Sequence, residues 1–440
     1  MQPYYQKNGI TLYHGDLRDV LPQAMQPNAV DFVVTDPPYG LGFMEKDWDF
    51  DVPGPAYWKT IAGVCKPGAL LLAFGGTRTW HRLVGAIEDG GWEIRDCLMW
   101  LYGQGFPKSL DISKALDKAA RVEREIVGRR SQPDIRCDSF QNRQWHGKAG
   151  NVEIFDTVPA TELAKRWNGW GSSLKPAWEP IVLAMKPLDG TFAQNAQRHG
   201  VAGMNIDRCR IPCDYAAEYG EKCLSSGAEQ VSPLGRWPAN LLLEHHPQCR
   251  QVGTTILRGD SRGNCDGRRP GGFGNVGADS GDGEPNARVY GNEVVPLYEC
   301  HPDCPVGALD AQTGILSSGK MKAVQQRNRS KGVGGYHGDF PDTASATGTC
   351  GDSGGASRFF YCGKATKKDR GPGNDHPTVK PLHLMSYLLR LLSTPTGGVI
   401  LDPFAGSGTT LEAAKRLGRP CLGVELDAHN CDIVVARLES

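Results

Sequence analysis

The stretch best suited to chemistry is Asp36-Pro37-Pro38-Tyr39. It follows an apolar, β-branched run at 30–35 that predicts a buried strand ending in a tight turn. Two prolines fix φ and remove two backbone N–H donors. The tip is therefore rich in acceptors, the Asp36 carboxylate and the proline carbonyls, with the Tyr39 ring beside them. Such a cluster suits a planar group bearing an NH2. The acceptors take its hydrogens and the ring stacks on its face.

A second stretch far along the chain, residues 397–410, reads as strand, glycine-rich turn and helix start. Gly406 and Gly408 let backbone approach a ligand, and Thr409 with Thr410 can cap a helix over 411–417. Residues 420–425 read as a further strand ending in Glu425. An acid at the end of the second strand of a doubly wound sheet is placed to bind ribose hydroxyls.

Together these stretches resemble the S-adenosylmethionine-dependent amino-methyltransferases of DNA, the adenine-N6/cytosine-N4 family. Its signatures are a D/N/S-P-P-Y/F/W tetrad for the target amine and an F-x-G-x-G loop for the cofactor, here Asp36–Tyr39 and Phe404-Ala405-Gly406-Ser407-Gly408. The tetrad comes first and the loop last, as in the permuted beta group, and His376-Pro377-Thr378-Val379-Lys380-Pro381 between them fits that group. The resemblance covers roughly residues 9–110, 165–190 and 355–438. It implies a doubly wound, mostly parallel, seven-stranded α/β (Rossmann-like) sheet with a long inserted target-recognition region. It assigns Asp16 to the adenine end of S-adenosylmethionine, and Thr378 and Lys380 to its amino-acid end. Phe404, Gly406, Gly408 and Thr409 belong to the methionine loop, Glu425 to the ribose, and Asp402 to the same crevice. Asp16 equally reads as the N-cap of a helix over 17–25, and Lys380 as a surface lysine. The K-P-x-x-E-P-I element beginning at Lys175 is implied beside a flipped-base pocket, although Trp178 reads first as a core residue.

Bulk properties set the frame. The chain has 440 residues, 39% hydrophobic, which suggests roughly two or three domains with a substantial core. Formal net charge is zero, so any footprint for nucleic acid must be local. Fourteen cysteines in a chain of this length are not a small disulfide scaffold. Residues 1–4 carry no signal-peptide pattern, and no apolar run approaches about 18 residues. The expectation is a cytoplasmic protein with reduced thiols and no membrane contact.

Alternating strand and helix patterns over 10–100 predict a largely parallel sheet. The reading divides the chain into a first catalytic part at 1–187, an insert at 188–357 and a second catalytic part at 358–440. A mobile loop is expected near 103–160, with 131–158 polar and irregular. Lys118, Arg121, Arg124, Arg129 and Arg130 could meet DNA phosphate or form a solvated helix face. The insert is rich in Gly, Ser, Asp, Asn and Arg, and Lys320, Lys322, Arg327, Arg329 and Lys331 make its clearest basic run, read as ordering on DNA.

Within the insert, His245-His246-Pro247-Gln248-Cys249 and Cys300-His301-Pro302-Asp303-Cys304 read as two halves of one site. Four N/S ligands on two proline-held turns would satisfy tetrahedral Zn2+. His245, Cys249, Cys300 and Cys304 are the expected ligands, with His246 or His301 as substitutes. Ordinary loop thiols are the alternative reading, and Cys209 with Cys213 has no second half nearby.

The activity implied is site-specific methylation of the exocyclic N6 of adenine in a base flipped out of double-stranded DNA. Asp as the first tetrad residue goes more often with adenine in this family, and cytosine-N4 is the near alternative. A protein-glutamine methyltransferase carries Asn first, C5 methylation lacks a nucleophile at the site, and a non-catalytic DNA-binding relic would not need both motifs intact. A restriction-modification setting fits the family. The recognition sequence, a cognate nuclease and a homodimer stay open.

Overall fold

The computed structural model describes residues 1–41, 51–102, 109–133, 151–211, 237–257, 293–314, 316–317, 353–354, 356–363, 374, 379–395 and 397–440. The chain opens with β1 (Tyr5–Lys7), β2 (Ile10–His14), α1 (Leu17–Ala24), β3 (Val30–Thr35), α2 (Pro55–Val64), β4 (Cys65–Phe74), α3 (Trp80–Asp89) and β5 (Glu93–Leu101). It continues through α4 (Ile112–Ala119), β6 (Ile126–Pro133), β7 (Asn151–Thr157) and α5 (Glu162–Arg166). Next come β8 (Trp178–Met185), α6 (Phe192–His199), β9 (Leu241–Glu244), β10 (Arg250–Leu257), β11 (Glu293–Glu299) and α7 (Pro305–Thr313). Three short strands follow, β12 (Leu316–Ser317), β13 (Ser353–Gly354) and β14 (Tyr361–Gly363). The chain closes with α8 (Leu382–Leu392), β15 (Ile400–Asp402), α9 (Thr409–Arg416), β16 (Cys421–Glu425) and α10 (Ala428–Glu439). Among the described residues, no helix is long and apolar enough to cross a membrane.

Two compact units result, Met1–Gly103 with Trp178–Ser440, and Gln104–Ala177. The large unit is built on a sheet of order β1-β2-β16-β15-β3-β4-β8-β5-β9-β14. Its middle seven strands, β2 to β5 in that order, are the expected doubly wound α/β sheet, and three edge strands extend it. Pairing is parallel except at β1–β2 and on both sides of β8. Side chains of β4 alternate between two cores, Leu70, Leu72 and Phe74 on one face and Ala69, Leu71 and Ala73 on the other. The first face packs on α8, α9 and α10, the second on α1, α2 and α3. Burial on both faces explains why β3 is buried at every position.

Two expectations about organisation meet a different arrangement. β9 falls inside the stretch read as an insert, yet its Leu241, Leu242 and Leu243 pair with Met99, Trp100 and Leu101 in the large sheet. Its three consecutive leucines had no alternation to mark them as a strand. The 103–160 stretch, read as a mobile loop apart from a helix over about 109–124, contains that helix as α4 and also the paired strands β6 and β7 of the smaller unit. In that unit Asp117 is buried and accepts from the backbone N–H of Ala160 and of Thr161, each at 3.0 Å, and from the Thr161 hydroxyl at 2.7 Å. Those bonds hold its carboxyl below the usual range although burial pushes the other way. Arg124 lies 3.6 Å from Asp117 and donates to the Val158 carbonyl, so it is a tie within the unit rather than an open phosphate contact. Arg129 lies over the Phe155 ring and, like Lys118 and Arg121, is exposed.

The start of β3 is fixed by a buried acid. Asp31 accepts from the Val399 N–H and from Lys66 Nζ, both at 2.7 Å. Gly398 leaves the room: a Cβ there would lie 2.3 Å from Asp31 Cγ. Gly398→Ala should therefore destabilise the fold by about 1–3 kcal/mol, the usual cost of overpacking. Thermal unfolding of the variant checks this, and an unchanged midpoint would count against the clamp.

Candidate active site

Strands β3 and β15 lie side by side and parallel, with Ile400 opposite Phe32 and Leu401 opposite Val33. Their carboxyl ends thus emerge together. The Thr35 hydroxyl donates to Asp402 Oδ1 at 2.6 Å, and both residues are buried. β3 continues outward to β4 and β15 to β16 on the other side, so the sheet reverses direction here. Open α/β sheets bind ligands at that crevice.

Beyond β3, the tetrad turn is anchored by the Thr79 hydroxyl, which donates to the Tyr39 carbonyl. Tyr39 faces two carboxylates, with its hydroxyl 2.9 Å from Asp36 Oδ1 and 3.0 Å from Glu179 Oε2. Lys380 Nζ donates to Asp36 Oδ2 at 2.7 Å, lies 3.5 Å from Glu179 Oε2 and stands over the Tyr39 ring at 5.3 Å. Burial alone would depress the Lys380 ammonium, but the two carboxylates outweigh it and hold it above its ordinary value. Burial, then Asp36 and Glu179, push the Tyr39 phenol well up, so it stays a neutral donor. With both acids ionised the cluster carries a formal charge of −1.

The other wall is the turn after β15. Gly406 and Gly408 take φ of +53° and +78°, a region glycine enters without cost. Gly408 also meets α10, where a Cβ would lie 2.9 Å from Val434 Cγ1. Gly408 itself is the N-cap of α9 and the helix start has no side-chain cap, contrary to the role expected of Thr409 and Thr410. The Thr409 hydroxyl instead accepts from buried Arg437, which also donates to the Ser407 carbonyl. Phe404 packs between Tyr57 and Trp58. Glu425, at the end of β16, accepts from the Gly406 N–H at 2.7 Å and the Asp427 N–H at 2.9 Å. Burial raises its carboxyl, and raises that of Asp402 from an ordinary 3.8 to about 6.

Both walls line one cavity of about 1170 Å³. Asp36, Pro37, Pro38, Tyr39, Asp402, Phe404, Gly406, Thr409 and Glu425 all reach it, while Gly408 does not. Asp16 lines it too and is also the N-cap of α1, paired with Arg18 at 2.6 Å. Lys380 lines it at the tetrad side, on Asp36, and is no surface lysine. Trp178 is absent from the lining, and the neighbouring Glu179 takes a place in it. Thr378, His376, Cys213 and the basic run at 320–331 lie outside the described residues. His245, Cys249, Cys300 and Cys304 gather elsewhere, their ligand atoms all within 4.8 Å of one another.

Arg437 was not singled out from the sequence, and Glu179 entered only as the acid of the K-P-x-x-E-P-I element, with no role of its own. β8 is antiparallel to β4, with Phe74 opposite Ile181, so its first residues lie beside the carboxyl ends of the parallel strands. Strand direction is not written in residue types. An acid inside an otherwise apolar strand was the available signal.

The family model described as DNA methylase matches residues 311–436. The resemblance to the DNA amino-methyltransferases thus holds over that segment. The segment contains the wall from β15 to Glu425, whereas the tetrad lies outside the match. The chain is 44% identical over 80 residues to the type II methyltransferase M2.DpnII of Streptococcus pneumoniae, spanning 18% of this chain and 30% of that one. It is 41% identical over 78 residues to M2.LlaDCHI of Lactococcus lactis subsp. cremoris, spanning 18% and 29%. The matches thus span under a third of the curated relatives' length. Among solved structures, the PvuII DNA methyltransferase (cytosine-N4-specific) aligns over 99% of this chain and 88% of its own at 13% identity, with a TM-score of 0.38.

The raised Asp402 carboxyl predicts a sign. Native protein holds this proton up to about pH 6 while the unfolded chain loses it near 3.8, so the contribution favours folding below that window and is lost as pH rises through it. Asp402→Asn removes the titration. Relative to the parent, the variant should gain stability as pH goes from about 4 to about 6, by roughly 3 kcal/mol at most. Paired melting curves across that range check this, and a constant offset would contradict it.

Proposed function

We propose that the protein is a site-specific DNA amino-methyltransferase that moves the methyl group of S-adenosylmethionine to the exocyclic N6 of adenine in a flipped-out base. The observation that carries the reading is one cavity walled by the Asp36–Tyr39 turn on one side and by Asp402–Ser407 with Glu425 on the other. The volume admits a nucleoside-sized cofactor and a base together. The cluster's formal charge of −1 complements a sulfonium cation.

The cofactor supplies an electrophilic methyl group. Glu425 is positioned for ribose hydroxyls, Asp16 for the adenine end, and Phe404, Gly406 and Thr409 for the methionine part. On the target side, an aryl amine is a poor nucleophile because its lone pair is delocalised into the ring. Asp36 and the Pro37 carbonyl each accept one N–H, turning the nitrogen toward sp3 and aiming the lone pair at the methyl carbon. Both Asp36 oxygens already have a donor, but each carboxylate oxygen has a second acceptor site. The N–C bond forms as the C–S bond breaks, and its electron pair leaves on sulfur as a neutral thioether. The resulting ammonium is strongly acidic and sheds its proton afterwards. In-line placement does most of the work.

The target must leave the duplex at a cost of a few kcal/mol. Stacking on Tyr39 offsets part of it, since base–aromatic stacking is worth roughly 1–3 kcal/mol. Asp36 as the first tetrad residue favours adenine over cytosine-N4.

The test is methylation of unmethylated genomic DNA followed by nucleoside mass spectrometry. Wild type should yield N6-methyladenine, and Asp36→Ala should lose roughly two to four orders of magnitude in rate, with cofactor affinity by calorimetry little changed. N4-methylcytosine would keep the mechanism and change the base. No mark on any DNA would overturn the proposal.

A further inference from the structure

The second cluster lies at the foot of a two-stranded ribbon. β10 and β11 form an antiparallel pair that starts at Arg250 opposite Glu299. Directly before Arg250 comes the turn from His245 to Cys249, and directly after Glu299 the turn from Cys300 to Cys304. The two turns mirror one another. The Cys249 N–H donates to the His246 carbonyl at 2.9 Å and the Cys304 N–H to the His301 carbonyl at 2.8 Å. Each turn also donates one backbone N–H across to a sulfur of the other, His246 N–H to Cys304 Sγ at 3.5 Å and His301 N–H to Cys249 Sγ at 3.3 Å.

We propose that His245 Nδ1 and the thiolates of Cys249, Cys300 and Cys304 bind one Zn2+, which clasps the foot of this ribbon to the β9 side of the large sheet. The spacing fits. Zn–S of about 2.3 Å and Zn–N of about 2.05 Å at tetrahedral angles require an S···N separation of about 3.6 Å. Cys300 Sγ and Cys304 Sγ stand 3.5 Å and 3.6 Å from His245 Nδ1. The three cysteines are not in disulfides, and each gives up its proton on coordination. The cross-turn N–H···S bonds are of the kind that stabilises bound thiolates.

The structure also separates the candidate histidines. His246 Nδ1 accepts from the Gln248 N–H and His301 Nδ1 from the Asp303 N–H, each at 3.2 Å. Their rings stack on each other at 4.4 Å, and neither joins the ligand cluster. Gly307 at the start of α7 admits Cys300, because a Cβ there would lie 2.7 Å from Cys300 Cβ. The apolar core around the cluster is small, with Leu243, Cys249, Cys304 and Val306 buried. A region with so little core gains folding free energy from a metal. His245 follows directly on β9, which pairs with β5 and β14 at one side of the sheet, so the metal would fix the ribbon to that side.

The test is elemental analysis of the full chain after dialysis, together with the visible spectrum of the protein reconstituted with Co2+. About one zinc per chain is expected, with cobalt giving intense tetrahedral d–d bands and thiolate-to-metal charge transfer. Cys300→Ser and His245→Ala should lose stoichiometric zinc, and His246→Ala and His301→Ala should keep it. The wild-type cobalt spectrum does not depend on how the variants fold. Absence of zinc together with no thiolate–cobalt spectrum in reduced wild type would overturn the proposal, as would zinc retained in His245→Ala and lost in His246→Ala.

Discussion

The site depends on the parallel pairing of β3 with β15, closed by the buried Thr35–Asp402 hydrogen bond. These strands are separated by more than 360 residues of chain, as are Thr35 and Asp402 themselves. Without that pairing the acceptor-rich turn and the glycine-rich turn would have no common crevice. Asp31 makes the same junction from the other end through the Val399 N–H, so the two strands are pinned at both ends. A pair of loops carried on rigid strand tips is a suitable base for holding two reactants in line.

Electrostatics then sets the character of the crevice. Asp36, Glu179 and Lys380 come from β3's tip, β8's start and the segment before α8, and Tyr39 bridges the two acids. A buried lysine between two carboxylates is costly to assemble unless every charge has a partner. Here each has one, and the excess is a single negative charge. On the far wall Asp402 and Glu425 are raised by burial while backbone N–H groups stabilise their ionised forms. The cavity is therefore polar at its chemical end and held by apolar packing around Phe404.

Much of this was legible from residue types. Residues 69–74 are an unbroken apolar run, and residues 30–35 are apolar apart from Asp31 and the terminal Thr35, as strands buried on both faces tend to be. The helix over 382–392 declared itself by its apolar stripe. Both half-turns of the His–Cys cluster were visible because each repeats the same spacing with a proline inside. Partners set by topology were hidden. Lys380 meets an acid 344 residues away, and Glu179 reaches the site only because β8 runs antiparallel. β6 and β7 mix apolar residues (Ile126, Val127, Val152, Ile154, Phe155) with charged and polar ones and lie 17 residues apart, so no short turn marked their pairing. Arg124 was read as either a phosphate contact or part of a solvated face, because charge alone does not tell an exposed cation from one drawn to a buried Asp117.

The central claim is that the two turns face one another across a single site where amine and sulfonium meet. A crystal structure with bound S-adenosylhomocysteine tests it most directly. The account predicts ribose hydroxyls on Glu425, the amino-acid part along residues 404–409, and the sulfur turned toward the Asp36 carboxylate across open space wide enough for a methyl group and an amine. Cofactor product bound outside this cavity, or with its sulfur directed away from Asp36, would contradict it.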